Sequence, residues 1–139
     1  MSDKGTAVFG LFDGMTSVLG MVLALALFGT LRGLIVATVA GAVGAGASMA
    51  AGEWLADNDQ SPHKALIMGL ATLIGCMAPA VPFYLTQHWV AYAACGVLVV
   101  ALGCVIAHLR PEKAPRSYIQ TFAVLAIATA LAVGAAAVS

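Results

Sequence analysis

The apolar and polar positions divide the chain into five long apolar stretches separated by short polar connections. The stretches cover residues 7–28, 34–55, 66–86, 89–107 and 118–138. A helix needs about 20 apolar residues to cross the hydrocarbon core of a bilayer. Helices satisfy their backbone groups internally, and five spans cannot close into a β-barrel. The pattern therefore predicts an all-α membrane protein with five transmembrane helices in one transmembrane domain, residues 1–139.

The composition supports this prediction and indicates that the chain is surrounded by lipid. Hydrophobic residues make up 62% of the sequence and charged residues only 9%, whereas a soluble domain carries about 25% charged residues. So few charges cannot cover a water-facing surface, and we expect a multi-pass protein whose main partner is the lipid bilayer. A short chain without a recognisable targeting signal favours a bacterial inner membrane.

The basic residues predict the orientation of the helices. With the N-terminus inside, five of the six Lys and Arg residues fall on the cytoplasmic side: Lys4, Lys64, Arg110, Lys113 and Arg116. Only Arg32 falls outside. Cytoplasmic loops are enriched in basic residues, so we predict an N-in, C-out topology. The few basic residues of the loops form no patch for nucleic acid, and no nucleic-acid partner is expected.

Asp13 is the single charge within the first apolar stretch. A carboxylate at membrane depth costs roughly 2.5–3.5 kcal/mol on insertion scales and usually marks a functional site. Thr16, Ser17 and Gly20 follow on the same helix face and are predicted to line a path with it. Two alternatives stay open. Asp13 could cap its own helix near the interface, and the hydroxyls could bond back to their own helix.

A second pair of candidate ligands lies on the second span. Met49 and Glu53 are four residues apart and share a helix face. Carboxylates suit hard cations and thioethers softer ones, so the pair suits a borderline divalent metal such as Fe²⁺ or Mn²⁺. Asp57 and Asp59 follow in the connection as candidates for metal entry. Alternatively Met49 is a packing residue, and Glu53 marks the interface beside Trp54.

Other residues limit the remaining possibilities. Pro79 and Pro82 predict a kink near the outer end of the third span, because proline removes a backbone donor. The three cysteines show no C-x-x-C spacing and are predicted to be packing residues. No nucleophile–base pair or closed metal triad appears, so enzymatic activity is not expected. No tightly bound cofactor is predicted.

Small residues suggest how the spans assemble. Helices in lipid associate through Gly, Ala and Ser, and these dominate the second span from Ala40 to Gly52. Five short spans form a thin bundle with little room for an internal path. A two-fold homodimer would provide ten helices and a groove between subunits, and such dimers are the commonest closed assembly. We therefore predict a homodimer.

Three segments resemble the vacuolar iron transporter family. They are the sequence GLFDGMTSVLG at 10–20, the sequence ASMAAGEWL at 47–55, and the Pro79-x-x-Pro82-Phe83 motif. The resemblance is specific over roughly residues 9–55 and weaker over 66–139. It implies five helices with N-in, C-out topology, and a homodimer whose path the first two helices line near the two-fold axis.

The resemblance also implies an activity and assigns residues to it. Members of the family export Fe²⁺, and often Mn²⁺, from the cytosol in exchange for protons. Asp13 matches the family's intramembrane acidic residue, Met49 its methionine ligand, and Glu53 an acidic residue frequent in bacterial members. The expected function is therefore proton-coupled export of a divalent metal ion.

The sequence departs from the family in the second connection. Typical members carry a metal-gathering cytoplasmic domain there, whereas this chain has only about residues 55–65, in which His63 joins the acidic candidates. A non-transporting membrane scaffold for a partner protein is therefore an alternative function. Transport of a small organic cation past Asp13 is a third hypothesis.

Overall fold

The computed structural model describes residues 3–56, 61–86, 89–109 and 114–138, and the described chain is helical almost throughout. The helices are α1 (Asp3–Phe28), α2 (Leu31–Ala56), α3 (Pro62–Met77), α4 (Val81–Leu85), α5 (Trp89–Leu109) and α6 (Ala114–Val138). The first two are long because uninterrupted apolar residues fill them, and they are joined at Gly29 and Thr30. Thr30 accepts a hydrogen bond from the Gly33 amide at 3.1 Å and so caps the start of α2.

Four of these helices are long and apolar enough to cross a membrane: α1, α2, α5 and, over residues 115–135, α6. The third predicted span differs from a continuous helix over 66–86. It forms α3 and α4, separated by a turn at Ala78–Ala80. Pro79 and Pro82 cannot donate to the carbonyls four residues earlier, and this interrupts the helical hydrogen-bond ladder. The chain is thus an all-α, multi-pass membrane protein.

Glycines bring the backbones of α1 and α3 into contact. A Cβ built at Gly10 would lie 2.8 Å from the Met68 carbonyl oxygen, and one built at Gly14 would overlap the Thr72 carbonyl oxygen. Only a residue without a side chain fits these positions. Rising residue numbers on α1 meet rising numbers on α3, so the two helices run in the same direction.

Glycines also bring the backbones of α2 and α3 together, and these two helices run in opposite directions. A Cβ at Gly46 would lie 2.9 Å from the Gly69 carbonyl oxygen, and one at Gly69 would lie 2.9 Å from the Cβ of Ala50. Both α1 and α2 pack more extensively on α3 than on each other. The short helix α3 is therefore the centre of a unit formed by α1, α2 and α3, which we call the α1–α3 unit.

The last two helices attach through fewer close contacts. The Tyr92 hydroxyl of α5 donates to the Ala26 carbonyl of α1 at 2.9 Å. The Ser117 hydroxyl of α6 donates to the Ala107 carbonyl of α5 at 2.9 Å. A Cβ at Gly20 of α1 would overlap the Cβ of Ala132, so α6 also packs directly on α1.

Candidate metal-transport site

Asp13 lies ten residues into α1, beside the closest contact between α1 and α3. Its side chain is half-buried. The neighbouring Gly14 packs against the backbone of Thr72 and Cys76, which fixes this part of α1 against α3. The carboxylate lies near enough to the Cys76 thiol to interact with it electrostatically. A backbone-to-backbone contact one residue away holds the carboxylate in place.

The residues predicted to line a path with Asp13 have different surroundings. The Thr16 hydroxyl lies 2.9 Å from the Phe12 carbonyl oxygen and 3.1 Å from that of Asp13, so it bonds back to its own helix, as one alternative foresaw. Ser17 is exposed. Gly20 leaves no gap within the protomer, because Ala132 of α6 fills it. The path-lining role of these three residues stays a prediction.

Met49 and Glu53 lie on α2, and both are half-buried. Met49 precedes Ala50, which meets Gly69 of α3. Asp13 precedes Gly14, which packs against Thr72 and Cys76 of α3, three and seven residues after Gly69. At 1.5 Å per residue this offset is roughly 5–10 Å along α3. Asp13 and Met49 therefore lie within about two helical turns of each other along α3, on the two helices that flank it.

Among the described residues, the remaining candidates do not join Asp13 or Met49. Asp57 and Asp59 lie outside the described residues. Within residues 3–56, 61–86, 89–109 and 114–138, no three His, Cys, Asp or Glu side chains come together to hold a metal ion. At the start of α3, His63 Nδ1 lies 3.8 Å from the Asp3 carboxylate, and both side chains are largely exposed. This pair is well separated along α1 from Asp13.

Cys76 is the neighbour of Asp13 that the sequence did not indicate. It was predicted only to pack, and it does so, since it is fully buried in the core. Its position next to a carboxylate follows from the parallel packing of α1 and α3. A separation of more than sixty residues gives no local pattern that could have revealed it. The C-terminal half of α3 thus brings Cys76 to the part of α1 that carries Asp13.

A family comparison covers the helices that carry this site. Residues 5–64 match the model of the VIT family. The match covers somewhat less than half of the chain and shows a similarity to the VIT family over that segment. The match includes α1, α2 and the start of α3, and therefore Asp13, Met49 and Glu53. No curated protein and no solved structure matches the chain.

The match over residues 5–64 confirms the resemblance found in the sequence. The family points to metal-ion transport across a membrane and to transporters rather than enzymes. The apolar helices agree with such a role, since they place the chain in a lipid bilayer. The substrate, the coupling ion and the assembly of this protein are proposals.

Proposed function

We propose that the protein is a proton-coupled transporter that exports Fe²⁺ or Mn²⁺ from the cytosol. The observation that carries the proposal is Asp13, a carboxylate in the middle of an apolar helix within the segment that matches the VIT family. A charge at this depth is costly and is usually retained for an ion pathway. The fixed contact between α1 and α3 beside it supports a preformed binding position.

Asp13 serves as the shared binding group for metal ion and proton. A carboxylate oxygen can hold either a divalent cation or a proton. Binding of one therefore displaces the other, and this competition couples their movements. Met49 lies within about two helical turns of Asp13 along α3 and contributes a thioether, which favours borderline metals over Mg²⁺ and Ca²⁺. Glu53, four residues further along α2, would receive the ion from the cytosol.

A homodimer completes the site in this proposal. One protomer supplies few ligands, whereas a two-fold axis near α1 and α2 would bring two Asp13 carboxylates and two Met49 sulfur atoms together. The exposed face of α2 suits such an interface because small residues occupy it. Gly44 and Gly52 have no neighbouring atom within 4 Å of a built Cβ, and small residues allow helices to approach in lipid.

Flux through purified protein in liposomes tests the function. Vesicles containing a metal-sensitive dye receive Fe²⁺, Mn²⁺, Co²⁺ or Zn²⁺ with and without a pH gradient. We expect Fe²⁺ and Mn²⁺ flux that the gradient accelerates, and we expect Asp13→Asn to reduce it to the background of empty vesicles. The substitution keeps the size of the side chain and removes its charge.

Asp3→Asn is the matched control, because it makes the same change on the same helix at an exposed position. This variant should transport like the parent protein. Undiminished flux in Asp13→Asn would contradict the role of Asp13. Absence of flux for every metal in a folded parent protein would favour the membrane-scaffold alternative.

A further inference from the structure

The backbone fixes the position of the short helix α4 relative to α3 only weakly. It follows α3 after the turn at Ala78–Ala80, where the Ala80 amide bonds to the Met77 carbonyl at 3.0 Å. Pro79 and Pro82 remove the two ladder bonds that would have tied α4 to the end of α3. The Phe83 amide still bonds to the Ala80 carbonyl at 3.0 Å, so α4 stays joined to the turn. Side-chain contacts with other helices supply the rest of what fixes its position.

A hydrogen bond between Tyr84 and Thr38 ties α4 to α2. The Thr38 hydroxyl is fully buried and lies 2.7 Å from the Leu34 carbonyl oxygen, to which it donates. Since its one proton is used there, the Tyr84 hydroxyl donates to the Thr38 oxygen. The resulting chain of two hydrogen bonds runs from α4 into the backbone of α2.

An aromatic contact ties α4 to α5. The rings of Phe83 and Tyr92 meet edge to face, with centroids 5.1 Å apart and an interplanar angle of 86°. Tyr92 is itself held by its bond to the Ala26 carbonyl of α1. These two contacts attach α4 directly to α2 and α5, and Tyr92 links the second of them to α1.

A cavity lies directly beneath these contacts. Its volume is about 220 Å³. Helix α4 forms one wall with Phe83 and Thr86, and the ends of α1, α2 and α5 form the rest with Leu25, Ala26, Gly29, Leu31, Leu34 and Tyr92. Cys95 follows Tyr92 by three residues on α5 and is buried, with only 2% of its surface exposed.

We propose that α4 is a hinged lid on this cavity. The hinge is the turn at Ala78–Ala80, and the latch is the bond from Tyr84 to Thr38. When the latch opens, α4 swings away from α2, widens the opening of the cavity and lets water reach Cys95, which lies about one helical turn along α5 from the cavity-lining Tyr92. In the proposed transporter, the lid closes the end of the protomer opposite the cytoplasmic end. This role in transport rests on the proposed function. The opening of the lid does not depend on transport.

The reactivity of Cys95 reports the opening directly. Full-length protein in liposomes is treated with a small water-soluble methanethiosulfonate, and the labelling of each cysteine is followed by mass spectrometry. Tyr84→Phe removes only the latching hydroxyl. Loss of one net hydrogen bond should raise the open fraction, and hence the Cys95 labelling rate, by about three- to tenfold. Thr38→Val should have the same effect.

Tyr118→Phe, at the chain's third tyrosine, is the matched control and should leave the Cys95 rate unchanged. Fully buried Cys76, on the far side of the hinge, separates local opening from general loosening. An unchanged Cys95 labelling rate in both Tyr84→Phe and Thr38→Val would overturn the proposal that α4 is a lid. So would an equal rise for Cys76 and Cys95, which would mean that the whole protomer loosens. Neither result depends on metal flux, so the lid and the transport function can fail independently.

Discussion

The α1–α3 unit and the α5–α6 pair are built from similar apolar residues but pack differently. In the α1–α3 unit, glycines place backbone against backbone, as at Gly14 and Gly46. In α5 and α6, Gly96 and Gly134 have no atom within 4 Å of a built Cβ. In the most apolar stretch of each helix, 33% of the residues are buried in α1, 22% in α2, 28% in α5 and 11% in α6, so α6 is the most exposed of the four. Composition alone therefore does not determine packing in lipid, whereas the position of glycine relative to the neighbouring helix does.

The difference in packing between the two regions bears on the proposed function. Asp13 and Met49 both lie next to glycine contacts of the α1–α3 unit, where the backbone has little freedom to shift. The α5–α6 pair presents most of its surface outward, as expected of helices that face lipid. A site that must hold an ion needs fixed ligands, and the glycine contacts of the α1–α3 unit fix the backbone beside Asp13 and Met49.

The strongest test of this contrast is Gly14→Ala. The new methyl group would overlap the Thr72 carbonyl oxygen, so α1 and α3 must separate. We expect a loss of about 2–3 kcal/mol in the free energy of unfolding, measured by denaturant titration in micelles. Gly96→Ala is the control on α5 and should leave stability unchanged or slightly higher. Equal losses in the two variants would remove the distinction between the two regions.

A smaller effect is expected for Gly103→Ala, where the α5–α6 pair has its own close contact. The added methyl group would lie 2.9 Å from the ring of Phe122. A side chain can move where a backbone cannot, so we expect a cost of about 1 kcal/mol. Phe122→Leu should recover part of that loss in a double-mutant cycle. Without such recovery, the cost would have to come from a shift of the helix itself.

The smallest effect on the protomer is expected for Gly44→Leu on the exposed face of α2. No atom of the protomer lies within 4 Å of a Cβ there, so the free energy of unfolding should change by less than about 0.5 kcal/mol. In the proposed homodimer the leucine would push the two α2 helices apart. Mass measurement from native membranes should therefore show more monomer. A dimer that persists unchanged would place its interface elsewhere.

Much of the helical architecture followed from the lengths of the apolar runs. The predicted spans at 7–28, 34–55, 89–107 and 118–138 correspond to α1, α2, α5 and α6, which extend by at most four residues further at either end. Length and apolarity set these helices, and both are local properties. Five spans, the N-in orientation and the dimer stay predictions.

The central role of α3 was not predictable in the same way. Its apolar run is ordinary, and the sequence does not show that Gly10 and Gly14 meet it while Gly44 faces outward. Those contacts depend on how each helix is rotated, which weak amphipathicity does not reveal. For the same reason, the sequence indicated Asp13 as a candidate but not its neighbour Cys76, nor the pairing of Tyr84 with Thr38 across 46 residues.

The shortness of α3 has a consequence for how the protein is made. Sixteen residues span about 24 Å, whereas the hydrocarbon core is about 30 Å thick. Alone in a bilayer, α3 would suffer hydrophobic mismatch. Helices α1 and α2 precede it in the chain and present the glycines that receive it. Its membrane insertion is therefore expected to depend on their prior arrival, so that biogenesis proceeds in the order in which the ribosome delivers the helices.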